Sequence, residues 1–470
     1  MDVLEYETRA CIRDWELKGV AGSFHPWLMS NIVFPLYHWV KGDGLMPAIR
    51  KYTQNQWLPE QELKQLQLAK LQTLLRHSRE NVPYYRELFQ EYGVGGSGEF
   101  SYEQFRRLPL LTKEVMRREQ GRLQATNFRK QDLVRNSTSG STGEPLVFYN
   151  DRESLKWRQA VVWRNQQWVH ARYSDREARL WGAQLDISKA ESLRGRLSAW
   201  AHQTMLLSTY DLSDETMRDY VVCLQAFKPR LLISYPSPLV TFAKFLERQN
   251  ESLPSIQSII TSAEQLHDSQ RDVIQRIFGP ILYDRYGSRE FGNIAHECDA
   301  HSGYHVNSER FFLEILDSDG EPVKPGETGE LLITDLDNYG FPFIRYQIGD
   351  LAVPADRKCS CGRGLPLVER FEGRSFDMIH CPNGNRVAGT FWTIVMRKFN
   401  GVAQFQIEQD LLGHLIIRLR INTDWDKSNE SSITERVKEK CGEDMKISYE
   451  YVDSIDLTAS GKQRLVVSRL

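Results

Sequence analysis

Ser137-Thr-Ser-Gly-Ser-Thr-Gly-Glu-Pro145 stands directly before a strand-like run, Leu146-Val-Phe-Tyr149. Seven of its nine residues are Ser, Thr or Gly, which lets the backbone turn several N–H groups toward one point and sets hydroxyl donors beside them. Both properties suit the oxygens of a polyphosphate. No Gly-Lys-Ser/Thr follows, so the loop is not of the Walker A kind, and the same composition also describes an ordinary flexible loop. The choice between the two rests on the chain around it.

Downstream, apolar runs at 178–184 (ARLWGAQ), 230–236 (RLLISYP), 258–261 (SIIT) and 281–287 (ILYDRYG) alternate with amphipathic stretches such as 240–250 and 268–278. Strands alternating with helices of this length predict a crossover α/β layer with a largely parallel sheet. Upstream, 58–91 carries Leu at helical spacing and breaks at Asn81-Val-Pro83, so 1–130 reads as mainly helical. After Phe291 the texture changes to short strand-like segments with turn signals, at 311–323 and 329–336. The expected class is α/β. A large N-terminal domain, 1–374, is helical over 1–130, α/β over 131–292 and β-rich with a β-barrel-like part over 293–374. A small C-terminal α+β lid domain, 375–470, has β runs at 402–409 and 414–421, a helix near 431–440 and a strand at 445–452.

The 470 residues, 41% hydrophobic and 26% charged, suffice for roughly two to three domains. Sixty Lys+Arg against 62 Asp+Glu leave a charge of −2, which provides no net basic field for nucleic acid. Seven dispersed cysteines do not form a disulfide framework, and the charged N-terminus lacks a secretory pattern, so a reducing cytoplasm is expected. Trp27 to Val40 is apolar but interrupted by Asn31, Pro35 and His38, and falls short of the ~20 residues of a membrane span. It is expected to be buried, with peripheral membrane contact as the alternative. Trp157, Trp163 and Trp168 share one helical segment and are expected to be core rather than site.

Five further segments follow the loop: Tyr286-Gly-Ser-Arg-Glu290, Thr328-Gly-Glu-Leu-Leu332, Arg345-Tyr-Gln-Ile-Gly-Asp350, Gly373-Arg-Ser-Phe-Asp377 and Leu457-Thr-Ala-Ser-Gly-Lys462. Their order resembles the adenylate-forming superfamily of acyl-CoA synthetases, most of all its phenylacetate-CoA ligase and CapK-related branch, over roughly 60–470. The resemblance implies an ATP- and Mg²⁺-dependent ligase that makes an acyl-AMP from a small-molecule carboxylic acid, releases pyrophosphate, and passes the acyl group to a nucleophile. It implies that Ser139, Gly140, Ser141, Thr142 and Gly143 hold the β- and γ-phosphates and that Glu290 positions Mg²⁺. By the same resemblance Tyr286, with Gly287, lies against adenine, and Asp350 takes the ribose hydroxyls. Arg374 sits near ribose and phosphates, and Lys462 bridges the carboxylate and α-phosphate. Ser262-Ala-Glu264 resembles a turn beside adenine, and Tyr235-Pro-Ser237 a segment lining the acyl pocket. Without the resemblance, Glu290, Asp350 and Lys462 read as ordinary solvated charges.

Three positions depart from the family's pattern: Arg289 where Thr or Ser is usual, Phe376 at the hinge, and the loop Pro382-Asn-Gly-Asn-Arg-Val387 in place of an arginine-glycine loop that guides pantetheine. The last puts transfer to the thiol of CoA in doubt, and with the resemblance to CapK it favours an amine or hydroxyl acceptor, on a surface-polysaccharide precursor, over that thiol. A nucleotide-binding protein that has lost catalysis is the reading from another class; the presence of Glu290, Asp350 and Lys462 argues against it. Cys298-x6-His305 with Cys359-x-Cys361 is a second constellation, whose soft and borderline donors suit tetrahedral Zn²⁺. Related ligases carry a similar set, and four protein ligands imply a structural site. His296 and His301 are nearby alternates.

Overall fold

The structure, a computed structural model, describes residues 28–94, 100–138, 146–172, 175–182, 203–374, 379–387, 389–396, 398–455 and 466–468. The chain forms two compact units. The first holds 1–313, 333–346 and 356–368, and the second holds 314–332, 347–355 and 369–470.

In the first unit, helices dominate up to residue 118. Glu60–Asn81 ends where Val82 turns extended at φ −111°, and Pro83 opens the next helix, Pro83–Glu91, because a residue before proline avoids the α region while proline fits a first turn. Strands β1 (Leu133–Ser137) and β2 (Val147–Asp151) pair antiparallel on either side of the Ser/Thr/Gly loop. The helix Arg152–Trp168 follows, capped by the Asp151 carboxylate accepting from the Ser154 N–H at 2.7 Å.

Beyond it come β3 (Glu177–Trp181), β4 (Thr204–Ser208), β5 (Leu231–Ser234), β6 (Ser258–Ser262), β7 (Leu282–Ser288), β8 (Gly292–Glu297) and β9 (Tyr304–Val306). Their order is 9-8-7-6-5-3-4. The pairs from β4 to β7 are parallel, whereas β7, β8 and β9 pair antiparallel. Helices Asp214–Phe227, Pro236–Gln249 and Asp268–Phe278 make the crossovers. Every residue of β5 and β6 is buried, as expected of parallel strands covered on both faces. Leu224, Leu239, Phe245 and Ile259, all fully buried, each contribute about 1.5–3 kcal/mol by leaving water.

The second unit takes its part of β10 (Phe311–Leu316), β11 (Gly329–Asp335), β12 (Tyr346–Pro354) and β13 (Leu367–Arg374), which neighbour one another in chain order. This region is not the barrel the sequence suggested. Closure would require β13 to bond back to β10; instead Leu367 and Val368 pair antiparallel with His305 and Tyr304 of β9, and the sheet stays open. Short strands with turn signals fit an extended meander as well as a barrel.

The C-terminal part has a hairpin, β14 (Ile379–His380) and β15 (Arg386–Val387), then the helix Gly389–Met396. A four-stranded sheet follows, built from β16 (Val402–Leu411), β17 (His414–Ile421), β18 (Lys446–Tyr451) and β19 (Val466–Ser468) in the order 18-17-16-19. Trp392, Ile407, Ile417 and, on the helix Asn429–Cys441, Val437 fill its core. The β-β-α-β reading stands, with β19 and the β14–β15 hairpin added to it.

No helix among the described residues is long and apolar enough to cross a membrane. The segment 28–41 differs from its expected burial. In the helix Phe34–Lys41 only Phe34 and His38 turn inward, while Ile32, Val33, Leu36, Tyr37, Trp39 and Val40 are exposed. One helical face accommodates positions four apart, and the remaining apolar residues join no core cluster of the described residues.

Candidate active site and Cys/His centre

In an open parallel sheet, loops at the C-terminal strand ends converge on one edge and form the natural place for a site. At this edge β6 ends in Ser262, which is buried, followed by Ala263 and Glu264. The Glu264 carboxylate accepts the Ser237 N–H at 3.0 Å, so the turn is tied to the first turn of the helix that follows β5. The structure thus joins Ser262-Ala-Glu264 to Tyr235-Pro-Ser237. Ala263 holds φ +71°, a left-handed conformation that costs an L-residue roughly 1–2 kcal/mol and glycine almost nothing. Ala263→Gly is therefore expected to raise stability by up to about 1 kcal/mol, measured as a higher urea midpoint with an unchanged slope. Trp181 at the end of β3 packs on Tyr235, with ring centroids 4.2 Å apart.

Tyr286 and Gly287 lie near the end of β7, half-buried, and 289–291 turn into β8. Gly287 allows a close approach: a Cβ there would stand 2.3 Å from the Gly292 carbonyl oxygen. Glu290 is buried and accepts from the Tyr346 hydroxyl at 3.3 Å. Phe291, Phe311, Phe343 and Tyr346 form an edge-to-face cluster beneath it. Arg345, in the same motif as Tyr346, adopts φ +50° and donates to the Leu108 carbonyl at 2.6 Å and to the Arg106 carbonyl. This holds Tyr346 against Glu290.

Arg158 was invisible to sequence reasoning, since no motif surrounds it. Its Nη1 donates to the carbonyls of Arg289 at 3.2 Å and Glu290 at 3.3 Å, and its side chain occupies the space where a Gly292 Cβ would sit, 2.6 Å from Nε. Burial, with the neighbouring Arg310 and Arg289 guanidiniums, pushes the Arg158 pKa down to about 10. At neutral pH it remains a cation bonded to the Glu290 backbone, and it fixes the turn that carries that residue's carboxylate.

Asp284 lies two residues before Tyr286 and accepts from the hydroxyls of Thr261 at 2.6 Å and Tyr304 at 2.7 Å. Burial, then the Glu297 carboxylate, raises its pKa to about 7. A folded-state pKa above the unfolded one favours folding below the ordinary carboxylate range, and that contribution is lost as pH rises through about 7. Asp284→Asn is expected to flatten the decline in melting temperature between about pH 5 and pH 8; an unchanged pH profile would exclude Asp284 as its source.

Asp350 is half-buried in β12 and belongs to the second unit. Arg374 ends β13, its side chain outside the described residues. Ser139, Gly140, Ser141, Thr142, Gly143, Phe376 and Lys462 also lie outside them. In the first unit the structure therefore brings together Ser262, Glu264 and the Tyr235–Ser237 turn, and separately Tyr286, Gly287, Glu290 and Tyr346.

The second constellation is compact. The ligand atoms of Cys298, His305, Cys359 and Cys361 all lie within 4.8 Å of one another. Cys298 Sγ to Cys359 Sγ is 3.6 Å and Cys361 Sγ to His305 Nε2 is 3.2 Å. A disulfide requires ~2.05 Å, whereas Zn–S bonds of ~2.3 Å place tetrahedral sulfurs about 3.7 Å apart. These separations are those of coordination edges. His305 Nδ1 donates to the Leu365 carbonyl at 3.2 Å, which leaves Nε2 as the free lone pair, and burial pushes its pKa down to about 4, keeping the ring neutral.

Burial holds the Cys298 thiol well above its usual range; at Cys361 burial acts the same way, but hydrogen bonds from Arg363 and Cys359 together with the Arg363 charge outweigh it and lower the thiol. Trp168 packs edge-on against His305 at 5.5 Å, and Arg363 lies over Trp168 and Trp57. Trp168 is thus core, as its spacing suggested. His296 and His301 stand apart from the four: His296 Nδ1 donates to the Glu297 carbonyl at 2.6 Å, and His301 stacks on Tyr283.

Residues 379–469 match the model of the CapK C-terminal domain. A phenylacetate-coenzyme A ligase of Thermus thermophilus is 27% identical over 68% of this chain and 72% of its own length. Protein CapK of Staphylococcus aureus is 22% identical over 87% of this chain and 90% of its own. A 2-hydroxyisobutyryl-CoA ligase, solved in the postadenylation state in complex with R3-HIB-AMP, superimposes with a TM-score of 0.70 at 18% identity, covering 88% of this chain and 91% of that one. That likeness establishes the fold.

Proposed function

We propose that this chain, a relative of the phenylacetate-CoA ligases and CapK in the fold of the adenylate-forming ligases, is an AMP-forming carboxylate ligase that activates an acid as its acyl-AMP. The observation that carries the reading is the β7–β8 turn. Tyr286 and Gly287 stand at the C-terminal edge of the parallel sheet, and Glu290 is held by Tyr346 with the cationic Arg158 beneath its backbone. A buried carboxylate in this position suits Mg²⁺, a hard cation that takes oxygen ligands. The ion would offset charge on the phosphates.

Attack of one anion on another is governed by alignment and charge neutralisation. In the proposed arrangement Ser139, Gly140, Ser141, Thr142 and Gly143 take the leaving phosphates, Ser262, Glu264, Tyr286 and Gly287 frame adenine, and Asp350 takes the ribose hydroxyls. Arg374 and Lys462 come from the C-terminal lid, 375–470, and its hinge. The Trp181–Tyr235 pair supports an apolar or aromatic acid, so aryl acids head the panel. Cys298, His305, Cys359 and Cys361 fit a structural Zn²⁺, with no ligand position left for chemistry.

For the acceptor, the phenylacetate-CoA ligase relatives support the thiol of CoA. The CapK match over 379–469, within which lies the unusual loop 382–387, supports a second reading, an amine or hydroxyl acceptor of the kind a surface-polysaccharide precursor offers. Acid-dependent ATP–pyrophosphate exchange over aryl, fatty, hydroxy and amino acids tests the first step. No exchange with any acid, alongside measurable ATP binding, would favour a binding protein instead. Thiol consumption with thioester formation would select CoA over the amine and hydroxyl.

A further inference from the structure

The helix Phe34–Lys41 carries two apolar faces, and the first unit's core uses one. Phe34 packs edge-to-face on Trp163 at 5.0 Å, in a cluster with Leu45, Ile49 and Val161. His38 is buried, its Nδ1 2.7 Å from Asp43 Oδ2, and Asp43 in turn accepts the Leu45 N–H at 3.1 Å. These contacts fix the helix on the body of the unit. The other face holds Val33, Leu36, Tyr37 and Val40, at the spacing of one helical stripe, with Ile32 and Trp39 beside it. Trp39 is 78% exposed, Val40 73% and Leu36 53%. No other stretch of the described residues gathers as many exposed large apolar side chains.

We infer that this stripe docks the protein on the surface of an anionic phospholipid bilayer. The charge around it fits that occupant: over 28–55 the Lys41 ammonium pairs with the Asp43 carboxylate at 3.2 Å, and Arg50 and Lys51 stand as the further cations with no other acidic residue in the stretch, a net charge of +2. Both Arg50 and Lys51 are exposed. Aliphatic side chains enter the acyl boundary, Trp and Tyr rest at headgroup level, and a lysine stem lies along the apolar surface with its ammonium toward phosphate. The eight-residue helix lies in the interface and does not cross it. A second copy is the poorer occupant, because a two-fold pairing of this face would set one basic rim against another. The inference is independent of the proposed chemistry.

Flotation of the full chain with phosphatidylcholine–phosphatidylglycerol vesicles tests it, against phosphatidylcholine alone. The wild-type chain is expected to float with the anionic vesicles, less so at high salt. Trp39→Asp with Val40→Asp, both at exposed positions, should lower the bound fraction about tenfold or more at an unchanged melting temperature. Arg50→Glu with Lys51→Glu should weaken binding to anionic vesicles only. Absence of flotation with anionic vesicles, or equal flotation of the Asp variant, overturns the inference. So does a wild-type dimer in light scattering that the Asp variant splits, which would assign the face to a second copy.

Discussion

Lys462→Ala is expected to cut acid-dependent ATP–pyrophosphate exchange by about 10²–10³ while leaving thermal unfolding unchanged. A carboxylate and a triphosphate repel each other, and charge builds on the α-phosphate as the new bond forms. A single ammonium bridging both would act mainly where that charge develops, so its loss falls on kcat more than on ATP affinity. Transfer from a chemically supplied acyl-AMP needs no such bridge and is expected to survive in the variant. If exchange persists within a few-fold of wild type, or both half-reactions fall together, Lys462 does not have this role. Arginine is a poor substitute, since its planar fork cannot replace a compact ammonium.

The other large effect concerns the Cys/His centre. Protein purified without chelator is expected to carry one zinc per chain, and Cys359→Ser to lose it. Binding of a structural metal is in part folding free energy, so stripping the ion should lower the melting temperature by about 10 °C or more. A bound ion would link 298–305 to 359–361, and through Gly364, whose N–H donates to the Gln56 carbonyl at 2.9 Å, would also steady the segment around Trp57. Zinc must displace the Cys298 proton, which burial holds tightly, so affinity should fall steeply with acidification. Metal content well below one per chain, or identical melting with and without chelator, would exclude the site.

Much of this was legible because it is periodic or contiguous. Leu at helical spacing gave the helix Glu60–Asn81, and apolar runs with crossovers gave β3, β5, β6 and β7, while β4 lay in a stretch read as helix. The Cys and His spacings selected the four residues that the fold brings together. What escaped notice depends on pairings that no local pattern encodes. Whether 293–374 closes into a barrel is decided by which strand Leu367 and Val368 meet. Arg158 acts through two carbonyls 131 and 132 residues away, and Ala263 looks ordinary until its φ is known. The stripe at 32–40 read as core because composition reports apolarity and not which side faces protein.

The four residues of the Cys/His centre also impose an order on biosynthesis. Cys298 and Cys359 lie 61 positions apart, and at ~5–20 residues per second the ribosome delivers the second pair some seconds after the first. During that interval Cys298 and His305 leave the tunnel without their partners, and the nascent chain has a thiol–imidazole pair open to oxidants and to competing metals. Full-length chains made under zinc limitation should therefore accumulate errors that later addition of zinc does not reverse, and the reducing power of the cell during those seconds becomes part of how the enzyme is made.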